Sequence, residues 1–268
     1  MTVTVKEIED VLFQWAPRSL SEEWDNVGLQ CGDPMAQVRT ILVSLDATPN
    51  TLSKALEQDA DLIVTHHPLI FKPLHCVNLK EYTSRLLAGF LRHEISVISM
   101  HTNLDSCSGG VNDRLCELLE IEETRPIIPS QHDASQGLGR IGRLGKPMGK
   151  EEFLDHVTKR LGLRHLTWAG NTSGPISDVA VCSGSGSSLF PEVTNAKVQA
   201  FVTAEVKHSV ALQAKTYEMI VVDADHFHTE RPVVENIFGF LSKEAKKRQW
   251  DTRILTFEEE KCPLRYWP

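Results

Sequence analysis

Short apolar runs alternate with helical patterns along this chain, and that alternation constrains the fold more than any other feature. "TILVSL" (40–45) precedes the helix-like "TPNTLSKALEQDA" (48–60), after which come "DLIVT" (61–65), the helix-like "EYTSRLLAGFLRHE" (81–94) and "ISVISM" (95–100). Apolar runs this short are strand-length. Separated by helical segments, they predict βαβ units and a mostly parallel sheet, an α/β class in which sites tend to lie where strands end. A second series begins at "MGKEEFLDHVTKRLG" (148–162), continues through "DVAVCSGSGSS" (178–188) and "KVQAFVT" (197–203), and closes with "EMIVVDADHFHTE" (218–230) and "VVENIFGFLSKEAKK" (233–247). Between the two lies a Gly- and Pro-rich stretch (125–149) that reads as a linker with a short strand or two.

The two series overlay without gaps. Residues 43–65 against 181–203 each run strand, small-residue turn, helix-like segment and a strand ending in Val-Thr. Residues 96–105 against 221–230 place His101 opposite His226 and Asp105 opposite Glu230. Two such overlays in one chain of 268 residues, long enough for one large or two medium domains, predict a pseudo-duplicated architecture. The expected division is a first α/β domain over 1–125, completed by 224–268, and a second over 126–223.

Composition excludes several classes of function. Hydrophobic residues at 41% and charged residues at 24% are ordinary for a globular chain. No apolar run approaches the roughly 18–20 residues of a spanning helix, so no membrane role is expected. The N-terminus "MTVTVKEIEDVLFQWAP" lacks a secretory pattern and reads as a capped amphipathic helix. Six cysteines without a C-x-x-C pair fit reduced thiols and a cytoplasmic location. A formal charge of −8 argues against nucleic acid as a partner, and the basic run "KEAKKR" reads as the solvated end of a helix.

Three strand-like segments end in potential metal ligands: "LIVT" in His66 and His67, "VISM" in His101 followed by Asp105, and "IVVDA" in Asp225 and His226 followed by Glu230. Strand ends of a parallel sheet can converge on one crevice. Neighbouring residues on a regular strand point to opposite faces, but before Pro68 the backbone can turn and aim both rings into a shared cavity. Imidazole with carboxylate oxygen suits Zn, Fe, Mn, Co or Ni, and two adjacent rings with different outlooks suit two neighbouring ions, so two divalent ions per chain are expected. Taken singly, Glu230 reads equally well as a charge at a helix entrance and Asp105 as a turn residue. The turn "VCSGSGSS" offers a weaker possibility, backbone N–H groups around a phosphate. "WDN" (24–26) fits a capped turn or a cavity wall.

Together, "EEWDNVGLQCGDP", "THHPLIFKPL", "HTNLDSCSGGVND", "GLGRIGRL" and "DADHFHTERPV" resemble the GTP cyclohydrolase I type 2 homologue family, also called Nif-three-like proteins, over nearly the whole chain. The resemblance implies two similar, interleaved α/β domains, a dinuclear metal centre and a ring-shaped homohexamer. By motif match it implies His66, His67, Asp105, His226 and Glu230 as ligands. His101 is then a group that orients a ligand from behind, or a proton relay. The chain departs from the family in carrying Asp225 where the motif usually has glycine, with the carboxylate second-shell or exposed, and in the extra His228, expected to face solvent. "TAEVKHS" departs as well, leaving roles for Glu205 and His208 open. Two functions follow: a metal-dependent hydrolase or cyclohydrolase-like enzyme acting on a nucleotide-like or phosphorylated small molecule, or a metal-binding regulatory or adaptor protein whose centre is structural. The aromatic tail "RYWP" could mediate assembly.

Overall fold

The structure is a computed structural model that describes residues 1–265; the tail's last three residues lie outside the described ones. It is mixed α/β with mostly parallel sheets. Residues Met1–Cys107 and Val233–Lys261 form one compact unit, and Ser108–Pro232 with the described residues from Cys262 onward form the other.

In the first unit the N-terminal helix, Val5–Trp15, starts where the sequence signals it. Thr4 accepts from the Glu7 N–H and the Glu7 carboxylate accepts from the Thr4 N–H, a capping box that satisfies two otherwise orphaned donors. The sheet runs Arg253–Thr256, Thr40–Ser44, Leu62–Thr65, Ser96–Ser99, Gly28–Cys31, with the first four strands parallel and the last antiparallel. Its central strands are buried on both faces, which explains why they read as continuous apolar runs without alternation. Helix Pro49–Glu57 is capped by Thr48 and opens on proline. Helix Tyr82–Arg92 buries Leu86, Leu87 and Phe90 against Ala55, Ile63 and Val97. The basic run closes helix Val233–Arg248, where Glu244 pairs with Lys247 and Arg248. Among the described residues no helix is long and apolar enough to cross a membrane.

The second unit holds a six-stranded sheet: Thr167–Gly170, Ile220–Asp223, Ala200–Ala204, Ile176–Ser185, Arg140–Met148, Ile121–Arg125. Ile176–Ser185, Ala200–Ala204 and Ile220–Asp223 are parallel, and the flanking strands are antiparallel. Successive residues serve opposite cores. Val179, Val181 and Val202 pack on one face, and Ala180, Cys182 and Phe201 on the other. The parallel strands and their intervening helix, Phe190–Asn195, repeat the arrangement of Thr40–Ser44, Pro49–Glu57 and Leu62–Thr65 in the first unit.

Two expectations change here. The Gly- and Pro-rich stretch is no linker: Arg140–Met148 is a nine-residue strand inside the sheet. Its Arg140 is buried, paired with Asp113 and donating to the carbonyls of Gly137 (2.7 Å) and Gly139 (2.8 Å). The division between units also falls elsewhere than at 125 and 224. Ile121–Arg125 pairs with Arg140–Met148, and helix His226–Glu230 is tied to Ile176–Ser185 by the Gly184 N–H donating to Thr229 Oγ1 at 3.1 Å, so these segments go with the second unit.

Candidate metal centre

Two of the three ligand-bearing strand ends are neighbours in the first unit's sheet, with Thr65 in register with Ser99. Immediately beyond Thr65 the backbone leaves strand geometry. The N–H groups of His66 and His67 both donate to the Leu45 carbonyl at 3.1 Å, and Thr65 Oγ1 donates to the His67 carbonyl at 2.8 Å. This turn brings the adjacent rings together, with centroids 4.9 Å apart, where a continuing strand would have separated them. His101, past the next strand, joins them at 5.2 Å from His66 and 5.6 Å from His67. One ring nitrogen from each of the three lies within 4.8 Å of the others. Asp105 sits in the one-turn helix Thr102–Ser106, with Oδ1 3.7 Å from His66 Nε2.

Each ring in this group has its Nδ1 engaged. His66 Nδ1 lies 2.8 Å from the Met100 carbonyl, His67 Nδ1 2.8 Å from Asp46 Oδ1, and His101 Nδ1 2.8 Å from Asp25 Oδ1. A carbonyl or carboxylate oxygen accepts, so Nδ1 carries the proton and the neutral ring keeps its lone pair on Nε2. That is the tautomer and the support a metal-bound histidine needs. Asp25, from the "WDN" segment, also accepts from the Thr102 N–H and hydroxyl. Burial works against its charge. The hydrogen bond and charge of His101 and the bonds from Thr102 outweigh that and lower its carboxyl to about 2.

In the second unit, Asp225 follows strand Ile220–Asp223 and caps helix His226–Glu230. His226 and Glu230 stand four residues apart on one helical face, with Nε2 2.9 Å from Oε2. Glu230 therefore ends its own helical turn and is not the entrance charge of a following helix. His226 Nδ1 lies 2.9 Å from Glu205 Oε1, which places Glu205 in the same supporting role as Asp25 and Asp46. A neutral imidazole has one N–H and cannot donate to both carboxylates. An imidazolium, with two N–H groups, can donate to both, and a cation taken up by Nε2 and Glu230 would satisfy the neutral ring. Gly184 makes room for this pair, since a Cβ there would meet Glu230 Oε1 at 2.1 Å and His226 Nε2 at 3.3 Å. His208, by contrast, is exposed at a helix start.

In the "VCSGSGSS" turn three N–H groups already have acceptors and are not open to a phosphate: Ser183 donates to Asn112 Oδ1, Gly184 to Thr229 Oγ1 and Gly186 to Thr203 Oγ1.

The model of the Duf34/NIF3 (NGG1p interacting factor 3) family matches residues 3–263. The chain belongs to this family. A Clostridium acetobutylicum protein named GTP cyclohydrolase 1 type 2 homolog is 29% identical over 267 residues, 99% of this chain and 100% of that one. A Streptomyces coelicolor protein of the same name is 32% identical, over 89% of this chain and 85% of the other. The crystal structure of a Bacillus cereus protein related to NIF3 superposes with a TM-score of 0.93 at 20% identity, covering 99% of each chain, which shows the shared fold.

Against the NIF3 family pattern, the departure at Asp225 has a structural meaning. Its φ of 65° and ψ of 133° lie where glycine is at ease and other residues are not. The carboxylate is neither exposed nor turned to His226: its side chain is 3% exposed and accepts from the His228 N–H and ring. His228 correspondingly turns inward to that carboxylate instead of facing solvent.

The metal-ligand donor set is chemically suited to a borderline divalent ion, with imidazole Nε2 atoms, carboxylates and oxygen acceptors behind the rings. Beside His67 and Asp46 the first unit has a cavity of about 590 Å³, also lined by Phe71, Lys72 and Tyr82. Trp24 and Phe71 meet edge-on at 5.6 Å and stand 6.1 and 6.3 Å from His101.

Proposed function

We propose that this chain is a metal-dependent hydrolase or cyclohydrolase-like enzyme acting on a nucleotide-like or phosphorylated small molecule. One observation carries the reading: His66, His67, His101 and His226 each have Nδ1 against an oxygen acceptor, which prepares Nε2 for a ligand. With the family resemblance, this supports His66, His67, Asp105, His226 and Glu230 as ligands of a dinuclear centre. Divalent ions held there would supply Lewis acidity and a water of lowered pKa.

The remaining residues bind and orient. Asp25, ionised at neutral pH, holds the His101 ring with Nε2 available to accept or return a proton. Lys72 offers a charge to a phosphate at the cavity wall, and Phe71 and Trp24 offer ring surface to a planar heterocycle. A cavity of about 590 Å³ is of small-molecule size. We further propose a homohexameric ring working in the cytoplasm. The six cysteines, none joined to another as a disulfide, agree with a reducing compartment.

Protein stripped with chelator and reconstituted with zinc, iron, manganese, cobalt or nickel is screened against nucleotides and phosphoesters, with His66→Ala as the inactive reference. Turnover that needs added metal and is lost in the variant is expected. Stoichiometric metal binding without turnover on any of these substrates would favour a structural centre in a regulatory or adaptor protein. Metal titration saturating at one ion would refute the dinuclear centre, and light scattering from a stable monomer would refute the ring.

A further inference from the structure

Asp225, His228 and Cys262 form a second group with metal-ligating chemistry, made entirely within the second unit from two distant parts of the chain. One ligand atom from each lies within 4.8 Å of the others. His228 Nδ1 is 2.8 Å from Asp225 Oδ1, and Cys262 Sγ is 3.5 Å from Asp225 Oδ2 and 3.7 Å from Oδ1. Tetrahedral zinc, with bonds of about 2.0–2.2 Å to nitrogen and oxygen and about 2.3 Å to sulfur, holds sulfur and oxygen ligands about 3.6 Å apart. The thiol and carboxylate already stand at that separation. The imidazole and carboxylate are closer than a shared ion would leave them, at the distance of a hydrogen bond that an ion would replace.

Two further features mark this group as built. The Asp225 side chain is 3% exposed, and the cost of burying its carboxylate, offset here by the His228 N–H and ring and by the Cys262 thiol, is one that a cation would also offset. It is also held at a φ of 65°, a backbone geometry unfavourable for a residue with a Cβ, on a turn where glycine would fit without strain. Its carboxylate caps the short helix His226–Glu230 by accepting from the His228 N–H, and this holds it beside the Cys262 thiol.

We propose that Asp225, His228 and Cys262 bind one borderline divalent cation of the zinc or cobalt class, separate from the family's histidine and carboxylate ligands, with water completing the tetrahedron. Such an ion pins the segment at Cys262 to the turn that leads into His226, so its role is structural. Sulfur distinguishes it from the other site, whose ligands are nitrogen and oxygen only.

The experiment titrates cobalt(II) alone into chelator-stripped, fully reduced protein and follows near-ultraviolet absorption. A cobalt–thiolate charge-transfer band is expected whose final intensity corresponds to one Co–S bond per chain, whichever of the proposed sites fills first. It should be lost in Cys262→Ser and in Asp225→Gly, the latter chosen because glycine suits the turn and keeps the protein folded. It should persist in His66→Ala, which removes a ligand of the other site, so the two readings fail separately. No band in the parent protein, or a band retained in Cys262→Ser, overturns the proposal. Circular dichroism of each variant matching the parent confirms that loss of the band reports the ligand and not the fold.

Discussion

Gly184→Ala tests the proposed role of His226 and Glu230 in the second unit as metal ligands without altering either residue. Gly184 has a φ of +57°, and a left-handed backbone costs a residue with a Cβ roughly 1–2 kcal/mol. The new methyl group would also meet Glu230 Oε1 at 2.1 Å and its Cδ at 3.1 Å. Glu230 is 4% exposed and held to His226 Nε2 at 2.9 Å, so its carboxylate can stay only under compression, adding about 1–3 kcal/mol of overpacking. Swinging the carboxylate away is cheaper. The expected result is a loss of about 1–2 kcal/mol in urea denaturation of the metal-free protein, with metal content falling in the purified form. Gly239→Ala is the contrast: that glycine lies inside helix Val233–Arg248 with nothing within 4 Å of its added Cβ. There alanine should add about 0.5–1 kcal/mol and leave metal unchanged. Full metal content in Gly184→Ala with stability within about 0.5 kcal/mol of the parent would refute the argument that this position makes room for a ligand.

Glu230→Gln should weaken metal binding by at least the roughly 10–100-fold that loss of a supporting group costs, read by competition with a chromogenic chelator; unchanged affinity would remove Glu230 from the ligand set. Asp25→Asn should lower stability at about pH 5 by about 2 kcal/mol, since the folded carboxyl lies at about 2 against an ordinary 3.8. Because the folded value is depressed, that contribution is present above pH 3.8 and is lost as pH falls toward about 2. The parent and variant stability curves should therefore converge over that interval, and parallel curves would show that Asp25 is not held as an ion by His101 and Thr102.

The apolar alternation of residues 40–65 and 95–100 was enough to specify parallel strands, because burial on both sheet faces leaves a purely local signature. The position of His66, His67, His101 and His226 at strand ends was legible for the same reason. What the rings do with their second nitrogen was not. His101 meets Asp25 across 76 residues and His67 meets Asp46 across 21, pairings that no periodicity encodes and only tertiary packing brings about. The stretch 125–149 misled because its glycines and prolines suggest turns, while Arg140–Met148 is recruited as a strand by pairing on both sides. Asp225 and His228 were equally opaque: side chains this polar are expected outside, and it took the fold to bury the carboxylate and bring Cys262 to it. Sequence thus determined the elements and which histidines and carboxylates stand at their ends, which depend on neighbours along the chain. Tertiary structure decided orientation, protonation and company, which depend on groups that are near in space and far apart in sequence.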